Sequence, residues 1–192
     1  MCWAHSKPGP IDNWQPLRQH LENVAARAAD FAAPFHSAEW ARLAGLLHDL
    51  GKASSAFQNY LRKSNGLDAS DYDASGQPST HSGAGAALAL DKYGPVGRLL
   101  AYLIVGHHAG LPDWIGGVQP NGSLTQRMES ARVELDATRH WLTQMSPPAQ
   151  LPAPPRKMTH AEMHLWIRML YSCLVDADFL DSEQLMSREV FA

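Results

Sequence analysis

The 192-residue sequence has only two cysteines, no apolar run of membrane-spanning length, and no alternating pattern typical of β-strands. Two isolated thiols, Cys2 and Cys173, favour neither a disulfide framework nor a thiolate metal site, and they suit a reducing cytoplasm. The first residues, MCWAHSKPGP, do not have the charged and apolar segments of a signal peptide. Lysine and arginine are scattered and the net charge is −3, which argues against binding nucleic acid by bulk charge alone.

Helical spacing of apolar residues dominates the chain, and 45% of its residues are hydrophobic, which is enough for one core. The pattern predicts a single all-α domain of six or seven helices over residues 1–192. Polar loops are expected at about 64–80 and 110–122, and a proline-rich connector at 146–157. The predicted helices span 16–33, 37–51, 55–63, 81–93, 95–108 and 123–145, with a last one that begins at a Thr159–Glu162 capping box and runs through Asp178.

Ten histidines are many for this length, and several lie where a core is expected. In LAGLLHDLGKASSAFQNYL, residues 43–61, His48 and Asp49 interrupt an apolar helix face, and Lys52 follows closely. Burying a carboxylate without a partner costs several kcal/mol. A hydrogen-bond network, a salt bridge to Lys52 or a metal ion must therefore compensate.

Other imidazoles and carboxylates lie at comparable positions. On the last helix, Asp178 shares one arc with residues 163, 167, 170 and 174, whereas Asp176, its alternative, points away. A single core histidine usually bonds a backbone carbonyl, but donors from four helices in one core indicate a bound cation. The remaining donors are His20 on the inner face of the first helix, His81 at the start of the fourth, and His107 and His108 at the end of the fifth.

The order H…HD…D, here His20, His48-Asp49 and Asp178, resembles the HD superfamily of metal-dependent phosphohydrolases. The resemblance becomes specific in longer segments and extends from residue 4 to about 183. It implies a compact HD-domain helical bundle around a metal site, and cleavage of single-stranded DNA in type I CRISPR interference. The segments that resemble the CRISPR-associated type I HD nuclease are residues 43–61, AHS at 4–6, THSGAGA at 80–86, HHAGLPDW at 107–114 and DADFLDSE at 176–183.

The resemblance further implies two divalent ions, which together neutralise a phosphate and activate water. Mixed imidazole and carboxylate ligands suit Mn²⁺, Co²⁺, Ni²⁺ or Fe²⁺ better than Mg²⁺. Lys52 is expected to contact the phosphate or the leaving oxygen, and a salt bridge to Asp49 or Asp68 is its alternative. The expected ligands are His20, His48, Asp49 and Asp178 for the first ion, and His81, His107 and His108 for the second, with Asp49 bridging.

The family's partners are a superfamily 2 helicase, fused or separate, and a type I CRISPR surveillance complex that delivers DNA. The chain is therefore expected to be a stand-alone subunit or, preferably, the N-terminal part of a longer helicase–nuclease. An HD phosphohydrolase acting on nucleotides or cyclic nucleotides is the alternative function. It requires only the first set of ligands and leaves His81, His107 and His108 without a role. A non-catalytic scaffold stabilised by metal is a third hypothesis.

Several further residues are assigned less specific roles. His5 is expected in a loose arm, because Pro8 and Pro10 follow it, and not as a ligand. Trp114 is expected either to stack on a base or to pack beneath its loop. Surface positions are expected for the remaining histidines, which are His36, His140, His160 and His164.

Overall fold

The structure, a computed structural model, describes residues 1–67, 81–113, 124–143 and 147–187. Trp114, Asp68 and most of the two predicted loops lie outside these residues. Within the described ranges the fold is all-α, as predicted, with one short antiparallel ribbon of β1 (Trp3–His5) and β2 (Gln15–Pro16). The helices there are α1 (Leu17–Ala32), α2 (Ala38–Leu47), α3 (Ser55–Ser64), α4 (Gly83–Tyr93), α5 (Arg98–Gly106), α6 (Leu124–Leu142) and α7 (His160–Ser187).

Several predicted helix ends are wrong, among them the start of α5, which begins at Arg98 after a 3₁₀ turn at Gly94–Gly97, and three that lie beside histidines. Helix α2 ends at Leu47 and a 3₁₀ turn follows at Leu50–Ala53, so His48 and Asp49 lie between helices and not within one. Helix α5 ends at Gly106, before the histidine pair. Helix α4 begins at Gly83, two residues after His81.

The start of α7 is confirmed. The Thr159 backbone N–H donates to the Glu162 carboxylate at 2.8 Å, and the Glu162 N–H returns to the Thr159 hydroxyl at 3.4 Å. These two bonds form the predicted capping box. The helix continues to Ser187, well past Asp178.

Two apolar clusters form most of the core. The first joins α1, α2, α5 and α7 and includes Leu47, and the second joins α1, α4, α6 and the 3₁₀ turn and includes Leu50. His48 and Asp49 therefore lie at the junction of the two clusters. Burial on both sides keeps water away from this junction, which strengthens electrostatic interactions there.

Two glycines let α4 and the segment before it approach this junction. A Cβ at Gly85 would overlap the Leu47 carbonyl oxygen, and one at Gly51 would overlap the His81 backbone. The Gly51 N–H also donates to the His81 carbonyl at 3.1 Å. These contacts hold His81 next to the end of α2.

The first residues are not the loose arm that the prolines suggested. The segment Trp3–His5 is strand β1, and Ala4 is buried. Gln58 of α3 bonds both sides of Trp3, accepting from its N–H at 3.0 Å and donating to its carbonyl at 2.9 Å. This pairing brings His5 towards the histidine cluster. No helix among the described residues is both apolar enough and long enough to span a bilayer.

Candidate metal centre

Asp49 lies at the centre of the candidate site, and its two carboxylate oxygens face different groups of side chains. Asp49 is fully buried. Its Oδ1 lies 3.3 Å from Nε2 of His107, 3.5 Å from Nε2 of His81 and 3.8 Å from Nε2 of His108. These are the three imidazoles predicted to hold the second ion, and the structure brings them together with Asp49.

The other oxygen, Oδ2, faces the residues predicted to hold the first ion. Nε2 of His20 and Nε2 of His48 each lie 3.4 Å from it. Asp178 Oδ1 completes the group, 3.4 Å from His20 Nε2 and 3.5 Å from His48 Nε2. Asp176, the alternative to Asp178, is exposed. All seven proposed ligands therefore converge on one centre, and their roles as ligands stay a prediction.

Several donor atoms are spaced as ligands of one cation would be. Two ligands held about 2.1 Å from a tetrahedral ion are about 3.4 Å apart, close to the 3.3–3.5 Å that separate four imidazoles from Asp49. His108 departs from this spacing, since its Nε2 lies 3.8 Å from Asp49 and 2.8 Å from Nε2 of His81, a hydrogen-bond distance. Nε2 of His20, of His48 and of His107 are buried without a hydrogen-bond partner in the part of the chain that the structure describes. Unpaired buried nitrogens that face a common carboxylate are costly unless an ion satisfies them.

Two of the buried imidazoles are each oriented by a carbonyl at the end of the helix that precedes them. Nδ1 of His48 donates to the Gly45 carbonyl at 2.8 Å, and Nδ1 of His107 donates to the Ile104 carbonyl at 2.5 Å. These carbonyls lie in the last turns of α2 and α5, where backbone N–H partners become scarce, and the Ile104 carbonyl also accepts from the His107 backbone N–H at 3.4 Å. With Nδ1 donating to a carbonyl, Nε2 is the nitrogen of each ring that faces the centre and is available to a metal ion.

A carboxylate that the sequence analysis missed orients the third imidazole. Asp181, 3% exposed, accepts a hydrogen bond from His20 Nδ1 at 2.7 Å. Continuing the helical arc of residues 170, 174 and 178 by three positions reaches 181, so the sequence contained a signal for it. Burial raises the pKa of Asp181, but hydrogen bonds from His20, Asn23 and Gln15 outweigh burial and leave that pKa lowered.

The acids and imidazoles of the centre shift one another's protonation. Burial lowers the pKa of His20, yet the carboxylates of Asp178, Asp181 and Asp49 that face its ring raise that pKa to about 10. Burial also lowers the pKa of His48, and the Asp49 charge and the nearby Asp178 carboxylate raise it to about 9. Burial raises the pKa of Asp49, but the charges of Lys52 and His48 hold it well below its usual value. A metal ion must therefore displace protons from this centre.

Lys52 lies beside the first group of donors, and His5, which was not expected to be a ligand, lies within it: a ligand atom of His5 is within 4.8 Å of those of His20, Asp49 and Asp178. The Lys52 side chain is buried, with Nζ 2.7 Å from Asp49 Oδ2, so the structure contains the salt bridge that was its alternative role. Nζ also lies 3.3 Å from His5 Nε2. Burial and the Lys52 charge lower the pKa of His5 to about 3, so this imidazole is neutral.

Among the described residues, the most exposed of the seven proposed ligands are His108, His81 and Asp178. Their side chains are 48%, 19% and 17% exposed, whereas those of His20, His48 and His107 are fully buried. The histidines predicted at the surface are all exposed, namely His36, His140, His160 and His164.

Comparison with known proteins identifies the family. The family model described as Cas3, HD domain, matches residues 3–185. This chain belongs to that family. As a Cas3 HD domain it is a CRISPR-associated hydrolase of the metal-dependent HD type, in agreement with the cluster of histidine and aspartate donors.

Solved structures share the fold of this Cas3 HD domain. The crystal structure of T. fusca Cas3-ADP is 21% identical over 100% of this chain and 24% of that chain, with a TM-score of 0.52. The crystal structure of T. fusca Cas3-ATP is 22% identical over 99% of this chain and 23% of that chain, with a TM-score of 0.50. The chain thus spans about a quarter of the length of these structures. No curated protein gives a significant match.

Proposed function

We propose that this Cas3 HD domain cleaves phosphodiester bonds of single-stranded DNA during type I CRISPR interference. The observation that carries the proposal is the arrangement around Asp49, whose Oδ1 faces His81, His107 and His108 and whose Oδ2 faces His20 and His48. A carboxylate between two donor sets is suited to bridging two cations. A nucleotide phosphohydrolase with one ion would need only the set around Oδ2.

Each group of donors would hold one divalent ion. His20, His48 and Asp178 with Asp49 Oδ2 form the first set, and His81, His107 and His108 with Asp49 Oδ1 form the second. When bound, a pair of such ions neutralises phosphate charge and lowers the pKa of water. The imidazole and carboxylate donors favour Mn²⁺, Co²⁺, Ni²⁺ or Fe²⁺ over Mg²⁺.

Lys52 would bind the reacting phosphate. Its Nζ lies 2.7 Å from Asp49 Oδ2 and 3.3 Å from the neutral His5 imidazole, so a positive charge is held at the edge of the donor cluster. A phosphate that enters past His81 and His108 meets this charge, which would stabilise the phosphate or the leaving oxygen.

The position of the centre favours a single strand as substrate. Asp49 and the inner imidazoles are fully buried, so the phosphate must enter a recess between helices. A flexible single strand can bend its backbone into such a recess, whereas a duplex would have to deform at an energetic cost. The net charge of −3 predicts weak intrinsic affinity, so a partner would deliver the strand.

The delivering partners would be a superfamily 2 helicase and a type I CRISPR surveillance complex. The T. fusca Cas3 structures were obtained with ADP and with ATP, and this chain covers about a quarter of each. A larger ATP-using region, fused or separate, would therefore act together with this domain. It would feed single-stranded DNA to the opening beside His108.

The experiment compares substrates under one set of conditions. Purified protein with Mn²⁺ is incubated with a labelled single-stranded oligonucleotide, the matching duplex, mononucleotides and cyclic nucleotides. We expect fragments from the single strand, and at least a hundredfold slower cleavage by His48→Ala and Asp49→Ala, because both remove donors. His36→Ala, an exposed histidine, serves as the matched control with unchanged cleavage.

Two results would contradict the proposal. Undiminished DNA cleavage by Asp49→Ala would show that the donor cluster is not the site of hydrolysis. Hydrolysis of mononucleotides or cyclic nucleotides with single-stranded DNA left intact would assign the domain to nucleotide phosphohydrolysis instead.

A further inference from the structure

Asp181 is a buried carboxylate that belongs to neither group of donors and yet contacts one of their members. Its Oδ2 accepts from His20 Nδ1 at 2.7 Å and from Gln15 Nε2 at 2.7 Å, and its Oδ1 accepts from Asn23 Nδ2 at 2.8 Å. Only 3% of the residue is exposed. Three donors therefore compensate the cost of burying this charge.

The crossing of two helices explains why these side chains meet. His20 and Asn23 are three residues apart on α1, and Asp178 and Asp181 are three residues apart on α7, so each pair occupies one helix face. The His20 ring lies between the two aspartates. Its Nε2 is 3.4 Å from Asp178 Oδ1, on the side of the donor cluster, and its Nδ1 bonds Asp181 on the other side.

His20 needs such a partner because of its position in the helix. The rings of His48 and His107 follow the last turns of their helices and bond the carbonyls of Gly45 and Ile104 in those turns, where few backbone N–H groups compete for them. His20 lies in the first half of α1, where the carbonyls one turn earlier accept helical hydrogen bonds. A side chain from another helix must therefore receive its Nδ1–H.

A carboxylate at this position does more than a carbonyl does. A negatively charged acceptor fixes the ring and raises the basicity of the opposite nitrogen, and losing such a partner typically lowers metal affinity 10- to 100-fold. His20 is the one buried imidazole of the centre whose Nδ1 bonds a carboxylate among the described residues. The set that contains His20 thus includes an imidazole held by a charged acceptor, whereas His107 in the other set is held by a neutral carbonyl.

From this difference we infer that Asp181 is a positioning residue that selectively strengthens the ion held by His20, Asp178 and Asp49 Oδ2. The inference rests on the proposed two-ion site. Gln15 and Asn23 hold the carboxylate in place. Loss of the Asp181 charge should weaken binding of this ion and leave the ion held by His81, His107 and His108 unaffected.

The test is Mn²⁺ titration of metal-stripped protein by calorimetry, with thermal melting of the same samples. We expect wild type to bind in two steps, which His20→Ala and His81→Ala assign to the two donor sets. Asp181→Asn should weaken the His20-dependent step 10- to 100-fold and leave the His81-dependent step within twofold of wild type. Asp176→Asn, the same change at an exposed site of the same helix, is the matched control with both steps unchanged.

A double variant moves the charge out of contact with His20 while it restores the hydrogen bonds. The variant Asp181→Asn/Asn23→Asp exchanges the two side chains. The new amide at position 181 donates its N–H to the new carboxylate at position 23, and its carbonyl oxygen accepts from His20 and Gln15. All three bonds are then restored around a neutral acceptor. We expect the melting temperature to return to that of wild type while the His20-dependent step stays weak. This variant keeps the inference testable if the single variant folds poorly.

The outcomes distinguish the inference from the proposed function. Wild-type binding in both steps by the double variant, or by Asp181→Asn, would overturn the inference, because a charge in direct contact with His20 would then be irrelevant. Equal weakening of both steps would assign Asp181 a structural role only and would also overturn it. A wild-type protein that binds fewer than two Mn²⁺ would instead contradict the proposed two-ion site itself.

Discussion

Asp49 is the one proposed ligand that belongs to both donor sets. Replacing it should therefore affect both ions, whereas replacing a ligand of one set should affect only one ion. Oδ1 and Oδ2 of Asp49 each contact different imidazoles, whereas His81 contacts Oδ1 alone. An amide at position 49 would lose the charge and present an N–H to one of the two sets. The consequence should be visible in the number of ions bound.

The first prediction concerns this number. Asp49→Asn should retain less than one ion per chain after dialysis against Mn²⁺, because both sets lose their common ligand. His81→Ala should retain about one ion, since only the Oδ1 set is broken, and wild type should retain two. Elemental analysis of the dialysed proteins measures the ratio, with His36→Ala as control. Two ions in Asp49→Asn would contradict the bridging role.

The second prediction concerns Lys52, whose ammonium pairs with Asp49 at 2.7 Å in a buried position. Lys52→Met keeps the volume and leaves the carboxylate without that partner, which for buried pairs costs about 3–5 kcal/mol. We expect the lower end of this range in metal-stripped protein, because His48 also faces Asp49, and a much smaller loss with Mn²⁺ present. DNA cleavage should fall at least tenfold at unchanged metal content.

Denaturant unfolding with EDTA and with Mn²⁺ measures both free energies of unfolding. Lys92→Met, at an exposed position on α4, is the control and should change neither. An equal loss of stability under both conditions would show that a metal ion does not take over the charge balance of Asp49.

At the scale of secondary structure, apolar spacing was sufficient to predict the all-α class and the approximate position of every described helix. The chemistry of the site decided the helix ends that were missed. Helix α2 stops at Leu47, where the Gly45 carbonyl bonds the His48 ring and a 3₁₀ turn after Asp49 replaces the helix. Hydrophobic periodicity does not contain this information.

The β1–β2 ribbon was missed for a different reason. Strands of three and two residues are too short to show an alternating pattern, and β1 is also held by Gln58 of another helix. For this reason the sequence predicts a loose arm around His5, whereas the His5 ring contacts Lys52 in the structure. The seven proposed ligands could nevertheless be selected from the sequence, because each lies in a motif on an apolar helix face or at a helix end.

The third prediction tests how α4 positions the centre. A methyl group at Gly85 would overlap the Leu47 carbonyl, at the residue that precedes His48. Gly85→Ala should therefore destabilise the protein by about 1–3 kcal/mol or more and weaken Mn²⁺ binding, because α4 must move away from α2. Gly66→Ala is the comparison: its Cβ meets open space, so only its positive φ of +71° costs about 1 kcal/mol.

Thermal melting and Mn²⁺ titration of both variants measure these effects. Wild-type metal affinity in Gly85→Ala, together with wild-type stability, would show that the close approach of the two helices is not required. Weakened binding in Gly66→Ala would show that metal affinity responds to any loss of stability.

At the scale of the whole molecule, the centre concentrates opposite charges inside a core that is otherwise apolar. Burial would make these charges costly one by one, and their mutual contacts shift the pKa values of His20 and His48 up and those of Asp49 and Asp178 down. The stability of the molecule without metal therefore depends on pH through groups that a metal ion would also bind.

The last prediction follows from the sign of these shifts. His20 and His48 have pKa values of about 10 and about 9 in the folded protein, above the value of about 6.5 in an unfolded chain. Their contribution to stability is complete below pH 6.5 and is lost as the pH rises towards 9 or 10. The lowered pKa values of Asp49 and Asp178 act oppositely, with stability present above about pH 4 and lost in more acidic solution.

Protein stripped with EDTA should therefore melt at its highest temperature between about pH 4 and 6.5, and at progressively lower temperatures up to pH 9. Added Mn²⁺ should stabilise the protein more at pH 8 than at pH 6, because binding competes with protons on the same imidazoles. Melting curves across this range measure both trends, and His48→Asn should flatten the alkaline slope whereas His36→Ala should not. A melting temperature of the stripped protein that is constant or rises between pH 6.5 and 9 would show that the buried imidazoles are not protonated, and the charge balance derived for the centre would be wrong.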